Sequence, residues 1–263
     1  MNSPASSAPP AYYSAVIEYD GADFLGFQVQ VSGRTVQGEI EQTLHRLTQQ
    51  SVRVVGAGRT DAGVHAAGQV IAFRVAWKHT PADLQRALNA LLPADIAVLR
   101  LEPAPPEFHP RFSASERHYR YQVGQWPGHS PLRARYAWEL GPEIDVEAMN
   151  QAAAQLIGSH DFLTFGQPPQ DEPTASTVRR VSEARWSQHP PYLFFDIRAN
   201  AFLRRMVRTI VATLVQVGQG RMTPAEVGGL LASRERGLAP PPAPAQGLIL
   251  VSVSYSLPSS GVA

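Results

Sequence analysis

The chain has 263 residues, 23 basic and 22 acidic side chains, a formal net charge of +1 and 44% hydrophobic residues. That length suits one large domain or two small ones and can bury a sizeable core. No apolar run approaches the ~20 residues of a membrane helix. The absence of cysteine excludes disulfides, thiolate zinc sites and a thiol nucleophile, and it fits a reducing cytoplasm.

Residues 1–10 are rich in Ser, Ala and Pro, lack the order of a secretion signal, and are expected to form a disordered tail. Residues 11–18 read as a buried strand. The next segment, 35–49, places Val36, Ile40, Leu44 and Leu47 on one helical face. Residues 52–55 and 69–75 read as strands on either side of a glycine-rich loop. Thr80-Pro81-Ala82-Asp83 opens a helix that runs to about Leu92, with Thr80 as its cap. A strand follows over 96–101. Strand, helix, strand, strand, helix, strand is the order of a ferredoxin-like unit, and the first half is taken as 11–105.

Four prolines in 103–110 mark a linker. The second half, 106–257, has a strand at 117–126, a helix at 145–157 capped by Asp145, strands at 177–186 and 192–198, and a long helix at 201–217. A capping box at Thr223-Pro224-Ala225-Glu226 opens a short helix. Pro240, Pro241, Pro242 and Pro244 make a stiff loop. A closing strand spans 248–255, and 258–263 is expected to be loose. The second half roughly repeats the first in element order. The expected fold class is α+β with two ferredoxin-like (RRM-like) halves, and the strand pattern permits the two sheets to join edge to edge.

The loop Gly56-Ala57-Gly58-Arg59-Thr60-Asp61-Ala62-Gly63-Val64-His65-Ala66 brackets one carboxylate with small residues. Glycine lets the backbone take positive φ and lets a ligand approach. A carboxylate so placed can be a nucleophile, a general base or a metal ligand. Asp capping a turn is the commoner role in Gly-rich loops. His65 would complete an Asp/His metal pair, but no third or fourth ligand is evident. The loop lacks the Lys and the spacing of a Walker motif. Arg59 can hold a phosphate, fill the gap behind a flipped base, or bond loop carbonyls.

Alternation puts Tyr119 and Tyr121 on one strand face and Arg120 on the other. Aromatics on a strand beside arginines fit single-stranded RNA binding, though periodicity does not separate the two tyrosines. Net charge alone would not suggest nucleic acid. The distribution is more suggestive: Arg111, Arg117, Arg120, Arg133 and Arg135 face only Glu116 over 111–135. Arg198, Arg204, Arg205, Arg208 and Arg221 fall in 198–221 without an acid.

The string Gly58-Arg59-Thr60-Asp61-Ala62-Gly63-Val64-His65-Ala66 resembles the catalytic loop of the tRNA pseudouridine synthase A (TruA-like) family. Tyr19-Asp20-Gly21 with Gly26-Phe27-Gln28, Thr35-Val36-Gln37-Gly38, Phe108-His109-Pro110-Arg111-Phe112, Tyr119-Arg120-Tyr121, Asn200-Ala201-Phe202-Leu203, Met206-Val207-Arg208 and Gln246-Gly247-Leu248 resemble further blocks in family order. Several ordered blocks across residues 11–256 are far more specific than one short match. The sequence departs from the pattern at Ala22, where a hydroxyl residue is usual, and at Val29, where a basic one often sits.

The resemblance implies two halves joined through a mostly antiparallel mixed sheet with a central cleft. It implies an isomerase that converts uridine to pseudouridine in the anticodon stem-loop of tRNA, at tRNA positions 38–40. No cofactor and no metal are expected. The implied setting is a cytoplasmic homodimer with one tRNA bridging both subunits. Asp61 is the implied catalytic carboxylate, Tyr119 the stacking platform and Arg208 the ion-pair partner of Asp61. Arg59, Arg111, Arg204 and Arg205 join Tyr119 as substrate contacts; solvated surface charge is the plain alternative for Arg204 and Arg205. Two other readings remain at this point: a non-catalytic RNA-binding module, and a metal-dependent hydrolase using Asp61 and His65.

Overall fold

Residues 9–141, 143–168 and 174–255 are described in the computed structural model. Residues 1–8 of the expected tail, and all of 258–263, lie outside them. The described chain divides into two units. One takes the residues up to Ser115 and those from Ser252 on; the other is Glu116–Val251. No helix among the described residues is long and apolar enough to cross a membrane.

The first unit holds β1 (Pro10–Tyr19), α1 (Val36–Thr48), β2 (Val55–Gly56), β3 (His65–Ala76), α2 (Pro81–Leu91) and β4 (Ile96–Pro103). Both helices begin where side chains can satisfy their first N–H groups. Thr35 accepts from Gly38 N, and Thr80 forms a capping box with Asp83 behind Pro81. The buried stripes are Val36, Ile40 and Leu44 on α1, and Leu84 and Leu88 on α2. β1 is central and antiparallel to both neighbours, with Ala15 opposite Ile71 of β3 and Leu101 of β4. Its alternate residues Tyr13, Ala15, Ile17 and Tyr19 all face the core. The order β4-β1-β3, with β2 pairing β3, is the ferredoxin-like arrangement the sequence predicts.

The strand expected over 52–55 shrinks to Val55–Gly56. Val54 has the burial of a strand residue, but its backbone bonds go to α1. Its N–H donates to Glu41 Oε1 at 2.9 Å, and its carbonyl accepts from Gln37 Nε2 at 2.9 Å. Helix side chains replace the ladder there.

The second unit takes most of β5 (Ala114–Gln125), then α3 (Pro131–Ala134), β6 (Trp138–Leu140), α4 (Val146–Ala154), β7 (Gly158–Asp161), β8 (Val178–His189), β9 (Tyr192–Ala199), α5 (Met206–Gly218), α6 (Pro224–Ser233) and the first half of β10 (Leu248–Tyr255). β5, β9, β8 and β7 pair in that order, each antiparallel to the next, and β6 runs parallel to the end of β5. With α3, β6, β7 and α6 set aside, the order again reads strand, helix, strand, strand, helix, strand. The fold class is α+β with mostly antiparallel strands. Asp145 and Thr223 cap α4 and α6 as expected.

The long helix expected from Ala201 begins only at Met206. Arg205 adopts φ +64°, and Arg204 exchanges two backbone hydrogen bonds with Gln167. A left-handed residue cannot continue a right-handed helix. Arg204 and Arg208 are therefore not neighbours on a helix face.

On the face of the second unit's sheet opposite Tyr119 and Tyr121, Asp196 gathers two hydrogen-bond donors. His118 Nε2 donates to Oδ1 at 2.6 Å, and Arg120 donates to both carboxylate oxygens at 2.9 and 3.1 Å. Burial alone would raise the Asp196 pKa. The hydrogen bonds from His118 and Arg120 outweigh it and hold the carboxyl below its usual value. A depressed folded-state pKa gives stability that is present above the unfolded value and lost as pH falls through the folded one. Asp196→Asn should cost about 1–3 kcal/mol near pH 6, read by urea denaturation. The gap from the parent protein should narrow below about pH 4; a gap that does not change with pH would remove the charge argument.

Candidate active site

Asp61 lies in the loop between β2 and β3. The β2–β3 ladder reaches Gly56 opposite Ile71, and Ala57 N still donates to Val70 O at 2.8 Å. Beyond that the chain leaves the sheet, and its polar groups need other partners. Gln69, fully buried, supplies two: its Nε2 donates to Gly58 O at 2.8 Å, and its Oε1 accepts from Gly58 N at 3.3 Å. The Thr60 hydroxyl lies 2.8 Å from the Tyr19 hydroxyl, and both residues are buried. Thr60 O accepts from Phe27 N at 3.1 Å, Gly63 N donates to Phe24 O at 3.3 Å, and Asp61 O accepts from Val64 N at 3.2 Å. Asp61 itself is half-buried between buried Thr60 and Val64.

The segment around Gly21 and Gly26 is built against this loop. Gly26 has φ +100°, and a Cβ there would stand 2.7 Å from Thr60 O. Any larger residue would be strained in its own backbone and would push Thr60 away. His65 is turned to the same segment: its Nδ1 accepts from Gly21 N at 3.0 Å and lies 3.1 Å from Asp20 Oδ1. Arg34 braces the far side with bonds to both oxygens of Asp95, at 2.5 and 2.9 Å, and to Glu39 at 2.8 Å. Its guanidinium sits 4.2 Å from the Phe24 ring centre. Sequence reasoning missed Gln69 and Arg34. The visible signal for Gln69 was a polar residue heading an otherwise apolar strand run. Among the described residues, no group of three or more His, Asp or Glu side chains is placed to hold a metal ion.

In the second unit, both tyrosines that periodicity left equivalent are buried. Tyr121 is 0% exposed and Tyr119 8%. The Tyr121 hydroxyl donates to Pro244 O at 2.8 Å. Burial pushes its pKa well up, opposed by the charge of Arg208. Tyr121 is thus committed to the core. The Tyr119 ring meets Phe202 edge to face, 5.1 Å between centres. Phe202 lies in the irregular run before α5, which also carries Asn200, whose carbonyl accepts from Arg117 at 2.6 Å.

Arg208 stands on the first turn of α5 and is half-buried. Its Nε donates to Ala243 O at 2.7 Å, and its carbonyl accepts from Ala243 N at 3.0 Å. The proline-rich segment, fixed in φ by its rings, thereby orients the guanidinium plane. The other arginines divide. Arg117, Arg120 and Arg198 have internal partners: Asn200, Asp196, and Glu183 with Glu116. Arg59, Arg204 and Arg205 are exposed, and Arg111 is half-buried with its guanidinium 5.5 Å from the Phe112 ring centre.

The model of a family described as tRNA pseudouridine synthase matches residues 15–113 and 152–256. The chain is 45% identical over 253 residues to a tRNA pseudouridine synthase A of Roseiflexus sp. strain RS-1, covering 94% of this chain and 92% of the relative. It is 43% identical over 241 residues to a tRNA pseudouridine synthase A of Moorella thermoacetica, covering 91% and 97%. Among solved structures, a chain in the crystal structure of a Cbf5-Nop10-Gar1 complex aligns with TM-score 0.33 and 12% identity, over 77% of this chain and 45% of that one. With the family model spanning both the Asp61 loop and the helix of Arg208, and relatives above 40% identity along nearly the whole length, the chain belongs to the tRNA pseudouridine synthase family.

Proposed function

We propose that the chain converts uridine to pseudouridine in the anticodon stem-loop of tRNA, at positions 38–40, with Asp61 as the nucleophile and no cofactor. The observation that carries this reading is a single half-buried Asp on a loop whose backbone is bonded on both sides, in a chain of this family. The reaction breaks the N1–C1′ bond and forms a C5–C1′ bond. The proton lost from C5 is balanced by one gained at N1, so atoms and electrons close without redox or phosphate energy. A carboxylate beside C1′ and C6 can add to either or assist elimination of the base. The target base must leave its stack to be reached.

Tyr119 serves as the platform on which that base stacks, and its hydroxyl relays the C5 proton. Tyr121 is less suited to this role, being wholly buried with its hydroxyl bonded to Pro244. Arg208 supplies the cation that keeps the carboxylate ionised where water is scarce. Arg59, Arg111, Arg204 and Arg205 hold substrate phosphates. The working form is a cytoplasmic homodimer, with one tRNA bridging the subunits.

Asp61→Asn should abolish tritium release from C5-labelled uridine in tRNA while leaving fold and tRNA affinity close to the parent. The amide is nearly isosteric but cannot act as an anionic nucleophile. A parent protein that binds tRNA and releases no tritium would make it a non-catalytic module. Inhibition by chelator, reversed by added metal, would favour hydrolysis over isomerisation.

Arg208→Lys should keep tRNA binding and lose most turnover, because an ammonium does not reproduce the planar, two-point hydrogen bonding of a guanidinium. Arg208→Ala should lose more. Single-turnover rates at saturating enzyme read this directly, and parent-like rates in both variants would remove Arg208 from the mechanism.

A further inference from the structure

Two fully or nearly fully buried polar side chains of the first unit, Gln69 and Tyr19, do no chemistry in the reaction above, yet Gln69 ends on the Gly58 backbone and Tyr19 on the Thr60 hydroxyl, both in the loop that carries Asp61. We infer that Gln69 and Tyr19 are positioning residues that set the direction of the Asp61 carboxylate. This rests on the proposed role of Asp61.

The Gln69 amide acts as a side-chain copy of a strand backbone. The β2–β3 ladder stops at Gly56, and Gln69 then offers Gly58 one donor and one acceptor, as a next ladder rung would. It carries the order of the sheet two residues further than the sheet itself goes. Tyr19 takes over at the next step. From the end of β1 its hydroxyl meets Thr60 Oγ1 at 2.8 Å, directly before Asp61 in sequence. Gly58 and Thr60 are thus fixed from two different strands. With Asp61 O held by Val64 N, little freedom remains in the backbone that aims the carboxylate.

Neither group is suited to proton transfer. Burial pushes the Tyr19 phenol up to about 12, even against hydrogen bonds from Thr60 and Gln69 that lower it. It stays neutral throughout any ordinary assay range. An amide side chain such as Gln69 does not titrate at all. Their contribution is geometric, and a misplacement of about 1 Å can cost about 100-fold in rate.

Tritium release by the parent protein is measured first; its absence would defeat the proposed function and not this inference. With an active parent, Tyr19→Phe, which removes a single oxygen, should lower kcat by about 10- to 100-fold. KM and tRNA affinity should stay within about two-fold, because the lost interaction does not touch substrate. The pH profile should keep its shape. Gln69→Ala should behave alike. Thr60→Val should match Tyr19→Phe, Thr60→Ser should restore the rate, and Tyr19→Phe combined with Thr60→Val should be no worse than either alone. Rates are expressed per folded enzyme from urea titration, so that a variant with reduced stability is still read. Parent-like kcat per folded molecule in Tyr19→Phe and Gln69→Ala would overturn the inference. A rise in KM alone, a changed pH profile, or Thr60→Ser as slow as Thr60→Val would do so as well.

Discussion

The loop that carries Asp61 must leave the sheet, and every backbone polar group it takes away from the ladder needs a new partner. Most of the first unit's unusual features follow from that requirement. Gln69 replaces a ladder rung, Phe27 N donates to Thr60 O, and Phe24 O accepts from Gly63 N, while the Tyr19 hydroxyl holds the Thr60 side chain. Those last partners lie in the stretch from Tyr19 to Phe27, so that stretch cannot move without the loop. Gly26 allows the approach because it has no Cβ to strike Thr60 O. Two sequence blocks more than thirty residues apart thus form one physical object.

The arginines show how far composition can mislead about partners. In the sequence, two basic clusters, one with a single acid and one with none, look like the footprint of a polyanion. Folding brings distant carboxylates to several of them: Asp196 reaches Arg120 across one strand pair, and Glu183 reaches Arg198 across another. A charge bonded in this way offers less to a phosphate than an exposed one, since the carboxylate must be displaced first. Arg133, Arg135, Arg204, Arg205 and Arg221 of those clusters remain exposed, as does Arg59 on the Asp61 loop.

Much of the fold was legible because its punctuation is chemical. Thr80, Asp145 and Thr223 each cap a helix at the residue the sequence indicates, since a short oxygen-bearing side chain there has a distinctive use. Legibility failed where structure depends on partners remote in sequence. Nothing local says that Gln37 and Glu41 will take the Val54 backbone. Arg205 in the left-handed region carries no signal, because Gly and Asn are the residues that normally mark such a position. β6 and β7 are too short for a period to show. The Asp61 loop was legible because its glycines and lone carboxylate are local facts. The supports of that carboxylate were not, because they come from the ends of β1 and β3.

The proline-rich segment before β10 illustrates the same division between a local signal and a remote use. Its rings announce stiffness in the sequence, without saying what the stiffness serves. In the structure Ala243 holds Arg208 by one side-chain and one backbone bond, while Pro244 O takes the Tyr121 hydroxyl. A flexible loop could make the same contacts, but it would let the guanidinium turn. A segment with few accessible backbone states loses little entropy on ordering and passes its rigidity to whatever it bonds. Tyr121 is thereby fixed as core and Arg208 as an oriented cation, each through neighbouring carbonyls of one stiff run. In both units, a side chain assigned to chemistry is aimed by irregular backbone that is itself bonded to regular elements, which is how a precise direction can be kept outside helices and strands.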